Sequence, residues 1–134
     1  MKTWLIDTNV LLDVIGADQA FGESSRQALA DCAEAGMLII NPIVYAEVAV
    51  WMTAREELDA LLPSDLFMRE GLSWDAAYLA AQAFGRYRMR GGRKPRMLAD
   101  FLIGAHAAVA SHCLVTRDEG YRRYFEVEIL NPAR

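Results

Sequence analysis

Little in this chain invites thiolate-metal, disulfide or membrane chemistry. Its 134 residues include two cysteines and two histidines. Cys32 and Cys113 stand far apart, in segments that read as helix and strand, which suits small buried side chains better than a disulfide or a zinc site. Long apolar runs are missing too. The opening run is broken by Asp7 and Asp13 with no small-residue cleavage site after it, so neither a signal peptide nor a membrane span is expected. The chain is therefore expected to be cytoplasmic. It shows no repeats or low-complexity segments, and its length leaves room for a single domain, residues 1–134. At 54% hydrophobic it has enough apolar material for a core.

One sign of charge is locally absent. The formal net charge is −4, yet the sign is split: residues through Gly85 include 4 basic and 13 acidic side chains, and those from Arg86 onward 10 basic and 5 acidic. Arg86, Arg88, Arg90, Arg93, Lys94 and Arg96 fall within a stretch that contains no acid, with Tyr87 interleaved. Such a sector can bind phosphates, or it can be a solvated helix end whose cations complement the helix dipole.

What is present is an alternation of strand and helix signals. Trp4, Leu5 and Ile6 lack the period-two pattern of a half-solvated strand and read as a central parallel strand covered on both faces. Asp7 then lies at its C-terminal edge, where ligands bind in open α/β sheets. Thr8–Ile15 reads as a short helix and Gly16–Gly22 as a loop. A second helix is capped by Ser24 or Ser25 and ends at Gly36, ahead of a strand over Met37–Ile40. Asn41-Pro42 opens an apolar helix from Ile43 to about Met52. Thr53 and Glu56 match a capping box for a helix ending at Leu62, and Ser64–Leu72 carries no clear signal. Ser73 caps a long helix with Ala77, Ala80, Ala81 and Phe84 on its inner face, stopping at Gly91-Gly92. A helix over Met97–Ser111, a strand over Cys113–Thr116, a helical stretch from Asp118 to Phe125 and a strand over Val127–Leu130 complete the chain. The fold class is α/β, a mostly parallel four- or five-stranded sheet between helices.

Four acids sit in or just after the most apolar segments: Asp7, Glu47, Asp100 and Asp118. A carboxylate placed there is costly unless it is paired, hydrogen-bonded or bound to a cation. No Lys or Arg lies within three residues of Asp7, Glu47 or Asp100, and neither Asp7 nor Asp100 is expected to cap a helix. Two such carboxylates about 4 Å apart would repel by roughly 4 kcal/mol at an effective dielectric near 20. Oxygen-only ligands select a hard divalent ion, Mg²⁺ or Mn²⁺, and such ions typically act on phosphates. Thr8, Asn9 and Thr116 are placed to orient these carboxylates. Asp13 is expected at the surface or packed against a loop, and His106 in the core with its hydrogen bonds satisfied.

These residues in this order resemble a known family. Asp7-Thr8-Asn9 after the first strand, Glu47 in the helix after the second, Asp100-Phe-Leu-Ile-Gly-Ala-His106-Ala in a core helix and Thr116-Arg117-Asp118 after the third strand are similar to PIN-domain ribonucleases of the VapC type. Those are the toxin halves of type II toxin–antitoxin pairs. The resemblance implies a three-layer PIN-like fold and Mg²⁺- or Mn²⁺-dependent cleavage of RNA. By position it makes Asp7 and Asp100 the principal metal ligands, completed by Glu47 and Asp118. It also implies a small antitoxin that blocks the site, and a homodimer. An apolar surplus on Val44, Val48, Trp51, Met52, Leu58, Leu61 and Leu62 points the same way, because exposed apolar patches usually meet another chain.

Three other classes fit less well. A haloacid-dehalogenase-like phosphatase expects a second Asp where this chain has Asn9. A receiver domain expects a phosphoacceptor Asp on a middle strand and a Lys after a late one, whereas Lys94 lies in the basic stretch. A non-catalytic PIN-like module that binds RNA or a partner would not need all four acids.

Overall fold

The computed structural model describes residues 1–91 and 96–134. Five parallel strands form one sheet: β1 (Lys2–Ile6), β2 (Gly36–Ile40), β3 (Phe67–Arg69), β4 (Cys113–Val115) and β5 (Ile129–Leu130), in the order β3-β2-β1-β4-β5. β1 is central, with Leu5 opposite Ile39 of β2 on one side and Leu114 of β4 on the other. Trp4, Leu5 and Ile6 are all buried. Consecutive strand residues point to opposite faces, so this run is buried only if both faces are covered.

The covering layers are α1 (Thr8–Ile15), α2 (Gly22–Ala35), α3 (Pro42–Ala49), α4 (Arg55–Leu61), α5 (Trp74–Met89) and α6 (Leu98–Ala110). α1 packs on α2, α5 packs on α6, and α3 touches both α1 and α6. A 3₁₀ turn, Glu119–Arg123, follows β4. Chain order now places the chemistry. From β1 the chain runs outward through β2 to β3, then returns to the other side of β1 as β4. The strand order reverses at β1, and Asp7 stands at the C-terminal end of that strand. Such a switch point is where open α/β sheets form crevices.

Local signals explain most of the elements. Asn41 Oδ1 accepts the Val44 N–H at 2.9 Å with Pro42 at the first helical position, and Ser73 Oγ accepts the Ala76 N–H at 3.0 Å. Other readings change. α2 begins at Gly22 without a side-chain cap, because Ser24 donates back to the Phe21 carbonyl and Ser25 turns inward to Asp13. The Thr53 capping box is not made: Ala54 is the cap residue, and the Thr53 hydroxyl bonds Glu57 instead. The inner face of α5 is Ala76, Ala80, Ala83 and Tyr87, with Ala81 exposed. The unreadable Ser64–Leu72 stretch contains β3, a three-residue edge strand with only Phe67 buried, too short for alternation to register.

The apolar surplus is largely core. Val44, Val48, Leu58 and Leu62 are buried, and of that set Trp51 and Leu61 are exposed. Exposed apolar side chains gather instead at Val50 and Trp51, and at Trp74 and Tyr78, one turn apart on α5.

Gly36 opens β2 against Lys2. A Cβ there would lie 1.9 Å from the Lys2 carbonyl oxygen, which is backbone and cannot swing away. Gly36→Ala should therefore force the first β1–β2 pair apart and destabilise the fold by about 3 kcal/mol, as severe overpacking does. Urea unfolding of the two proteins checks this, and equal midpoints would refute it.

Candidate metal-binding active site

Asp7 ends β1 and caps α1. Its Oδ1 accepts the Thr8 N–H at 2.7 Å. Its Oδ2 accepts the Thr116 hydroxyl at 2.8 Å, the Tyr121 hydroxyl at 3.0 Å and the Asn9 amide at 3.3 Å. Thr116 follows β4, and Tyr121 lies in the 3₁₀ turn pressed onto α6. Gly104 permits that contact, since a Cβ there would come within 2.6 Å of the Phe125 ring and 2.8 Å of Tyr121. Three separate parts of the chain thus converge on one buried carboxylate.

Four donors do not restore what burial removes. Asp7 is pushed up to about 6, by desolvation first and by the charge of Asp100, against the opposing hydrogen bonds from Thr116, Thr8 and Tyr121. The Tyr121 phenol is itself raised by burial and by Asp7, Asp100 and Asp118, so it stays protonated and remains a donor.

The remaining acids approach from other elements. Asp100 occupies the first turn of α6 and accepts the Met97 N–H at 3.2 Å. Glu47, on α3, accepts the Thr8 hydroxyl at 2.6 Å. Asp118 caps the 3₁₀ turn through the Gly120 N–H and takes both guanidinium nitrogens of Arg96, at 2.8 and 3.1 Å. Asp7 and Asp100 do act as cap residues here, contrary to the sequence expectation. A carboxylate at a strand end or in a helix's first turn lies beside unpaired N–H groups, so capping comes with the position.

Among the described residues, the two arginines that flank the acids are each already paired. Arg96 holds Asp118, and Arg117 holds Asp13 at 2.7 and 3.0 Å while stacking over Phe21. Among the described residues, no ion pair falls on Asp7, Glu47 or Asp100. Oxygen donors of one sign with one carboxyl already destabilised suit a hard divalent cation. The four acids are not drawn into one tight cluster. Among the described residues, the trio of metal-ligand atoms within 4.8 Å of one another is Glu70, His106 and His112, elsewhere in the fold.

Residues 4–126 match the PIN domain family. The chain belongs to that family. No curated protein matches it. Solved structures with this fold include VapBC2 from Rickettsia felis bound to a promoter DNA fragment, at TM-score 0.75 and 19% identity over 96% of this chain and 98% of that one. DNA-bound VapBC from Salmonella typhimurium is similar at TM-score 0.74 and 19% identity, over 98% and 99%. VapC20 of Mycobacterium tuberculosis, a sarcin-ricin loop cleaving toxin, gives 0.62 and 15% over 93% and 98%.

Within this PIN domain, Thr8, Asn9 and Thr116 each hydrogen-bond an acid of the site, and Asn9 also donates to Thr116 and accepts the Arg117 N–H. Asp13 is not at the surface. It is buried against Ser25 and Arg117. Tyr121 was not singled out in the sequence, although its position three residues after Asp118 places both on one side of a 3₁₀ turn. In the basic sector, Arg86, Arg88 and Arg90 are exposed at the end of α5, Arg96 is paired, and Arg93 and Lys94 lie outside the described residues. Tyr87 is buried among Phe84, Phe101 and Tyr124, so it does not offer a ring to a base.

The raised Asp7 carboxyl has a stability consequence. Its folded pKa lies above its unfolded one, so the metal-free protein loses stability as pH rises from about 4 to about 6, by up to about 3 kcal/mol. Asp7→Asn removes that loss but turns its amide N–H2 toward one of the donors that Asp7 accepts from, at a cost of roughly 1 kcal/mol. In chelator at pH 7.5 the variant should be about 2 kcal/mol more stable than wild type, with the gap closing at pH 4. Denaturant unfolding at the two pH values reads this directly, and a pH-independent difference would contradict it.

Proposed function

We propose that this PIN domain is a divalent-metal-dependent endoribonuclease, the VapC-type toxin of a toxin–antitoxin pair. The observation that carries the reading is Asp7: a buried carboxylate, raised by desolvation, beside Asp100 and with no ion-pair partner among the described residues. Family membership and the fold shared with VapBC assemblies and a sarcin-ricin loop cleaving toxin support the same reading.

Asp7 and Asp100 would be the main ligands of Mg²⁺ or Mn²⁺, with Glu47 and Asp118 completing the acidic set. The ion, when bound, supplies an activated water and charge neutralisation at the scissile phosphate. The chain's own part is orientation. Thr116, Tyr121 and Asn9 fix Oδ2 of Asp7, and Thr8 fixes Glu47. In-line attack by water on phosphorus expels the 3′ oxygen as a hydroxyl and leaves a 5′-phosphate. Arg86, Arg88 and Arg90, with Arg93 and Lys94, would track the RNA backbone, while the Arg96–Asp118 pair joins that sector to the acids.

A small antitoxin is the proposed partner, as in the VapBC complexes. A cationic side chain of it entering the acidic crevice would exclude both metal and RNA. Exposed Val50 and Trp51, and Trp74 and Tyr78, offer apolar contact for it or for a second copy. No helix among the described residues is long and apolar enough to cross a membrane, and a cytoplasmic site of action is part of the proposal.

Four outcomes are expected. Purified protein should cleave RNA in Mg²⁺ or Mn²⁺ and stop in excess chelator. Asp7→Asn or Asp100→Asn should cost at least about 10²-fold, beyond the 10–100-fold of outer-shell losses, and Asp118→Asn less, because Arg96 already offsets that charge. Full activity of the Asp7→Asn, Asp100→Asn double variant would end the reading. Replacing Arg86, Arg88 and Arg90 by Ala should flatten the salt dependence of RNA binding by about 0.7 per lost contact, and an unchanged slope would assign them to solvent. Light scattering should give about twice the 15.0 kDa chain mass, and a strict monomer at micromolar concentration would remove the dimer.

A further inference from the structure

A second polar cluster, half-buried at Glu70 and buried at both histidines, includes none of the four acids. Glu70, just after β3, accepts through one oxygen, Oε1, from His106 Nε2 at 2.9 Å and from His112 Nε2 at 2.7 Å. The far nitrogen of each ring is also held: His106 Nδ1 meets Asn41 Nδ2 at 2.9 Å, and His112 Nδ1 meets the Thr3 hydroxyl at 2.6 Å. Both histidines are buried. Burial by itself would raise Glu70, but the bonds from His112 and His106 outweigh it and hold the carboxyl below its usual range, so Glu70 is ionised and only accepts.

The spacing of the three groups would suit a transition-metal ion, but the hydrogen bonds argue against one. Asn41 cannot turn its oxygen to His106, because that oxygen already accepts the Val44 N–H as the cap of α3. It therefore presents an N–H to Nδ1, which must be bare, and the ring proton sits on Nε2, facing Glu70. A metal on Nε2 would need the opposite tautomer and would break the cap.

The partners show what the cluster joins. His106 lies on α6, the helix of Asp100. Asn41 starts α3, the helix of Glu47. Thr3 lies on β1, the strand that ends in Asp7. We infer that Glu70 is a positioning residue, the hub of a metal-free hydrogen-bond network that fixes β1, α3 and α6 relative to one another and so sets the spacing of Asp7, Glu47 and Asp100. The inference deepens the nuclease reading and rests on it. The effect of Glu70 on the reaction runs through the spacing of the acids.

The test combines one measurement on wild type with two substitutions. Long-range ¹H–¹⁵N spectra at pH 7 should show His106 neutral with its proton on Nε2; an Nδ1-protonated or doubly protonated ring overturns the network. Glu70→Leu removes the shared acceptor, whereas Glu70→Gln keeps an oxygen in its place. Glu70→Leu should weaken Mn²⁺ binding, read by electron paramagnetic resonance, and raise the Mn²⁺ needed for half-maximal cleavage, each by about 10-fold, the low end of outer-shell losses, with KM for RNA unchanged. Glu70→Gln should stay close to wild type. If Glu70→Leu does not fold, the tautomer measurement still decides. A lowered melting temperature with unchanged Mn²⁺ affinity would leave Glu70 merely structural and overturn the inference alone. A wild-type chain that binds no Mn²⁺ would overturn the nuclease reading and the positioning role together. A Co²⁺ ligand-field band that persists in the Asp7→Asn, Asp100→Asn double variant and disappears in Glu70→Leu would make the cluster a metal site instead; none is expected.

Discussion

Much of this molecule is arranged around a carboxylate buried at the end of its central strand. Removing an ionised group from water costs several kcal/mol even after relaxation. Asp7 recovers part of that through donors on Thr8, Asn9, Thr116 and Tyr121. Those donors come from the start of α1, the end of β4 and the 3₁₀ turn, so the switch-point topology is what brings them together. Gly104 belongs to the same arrangement, since only a missing Cβ lets the 3₁₀ turn lie close enough to α6 for Tyr121 to reach.

The distribution of cations completes the electrostatics. Arg117 is tied to Asp13 and Arg96 to Asp118, each through two nitrogens, a geometry that fixes orientation as well as charge. Asp7 and Asp100 have no ion-pair partner among the described residues, and the charge of Asp100 adds to the burial that raises Asp7.

The histidines divide the polar interior in two. Neither joins the acids; both donate to Glu70, at the side of the sheet where β3 forms the edge. His106 is the satisfied core histidine its apolar helix suggested, with a partner on each ring nitrogen. Asp7 and Asp118 follow the C-terminal ends of β1 and β4, whereas the histidine network bonds to β1, the start of α3 and the residue after β3.

Sequence alone determined the parallel α/β class, the central strand and the Asn41 and Ser73 caps, and it singled out four acids in apolar segments. Each of these rests on local signals: unbroken apolar runs, cap residues at fixed offsets, and acids with no basic neighbour. The rest was decided by pairings distant in the chain. Arg96 with Asp118, Arg117 with Asp13, Tyr121 with Asp7 and Glu70 with two histidines are separated by 22, 104, 114 and up to 42 positions. No periodicity encodes such partners. A three-residue edge strand and a helix started without a cap were equally silent, since their stability comes from the sheet and core they join. What the tertiary structure alone settled was which charges are neutralised, because that depends on which side chains the completed fold brings within hydrogen-bond reach.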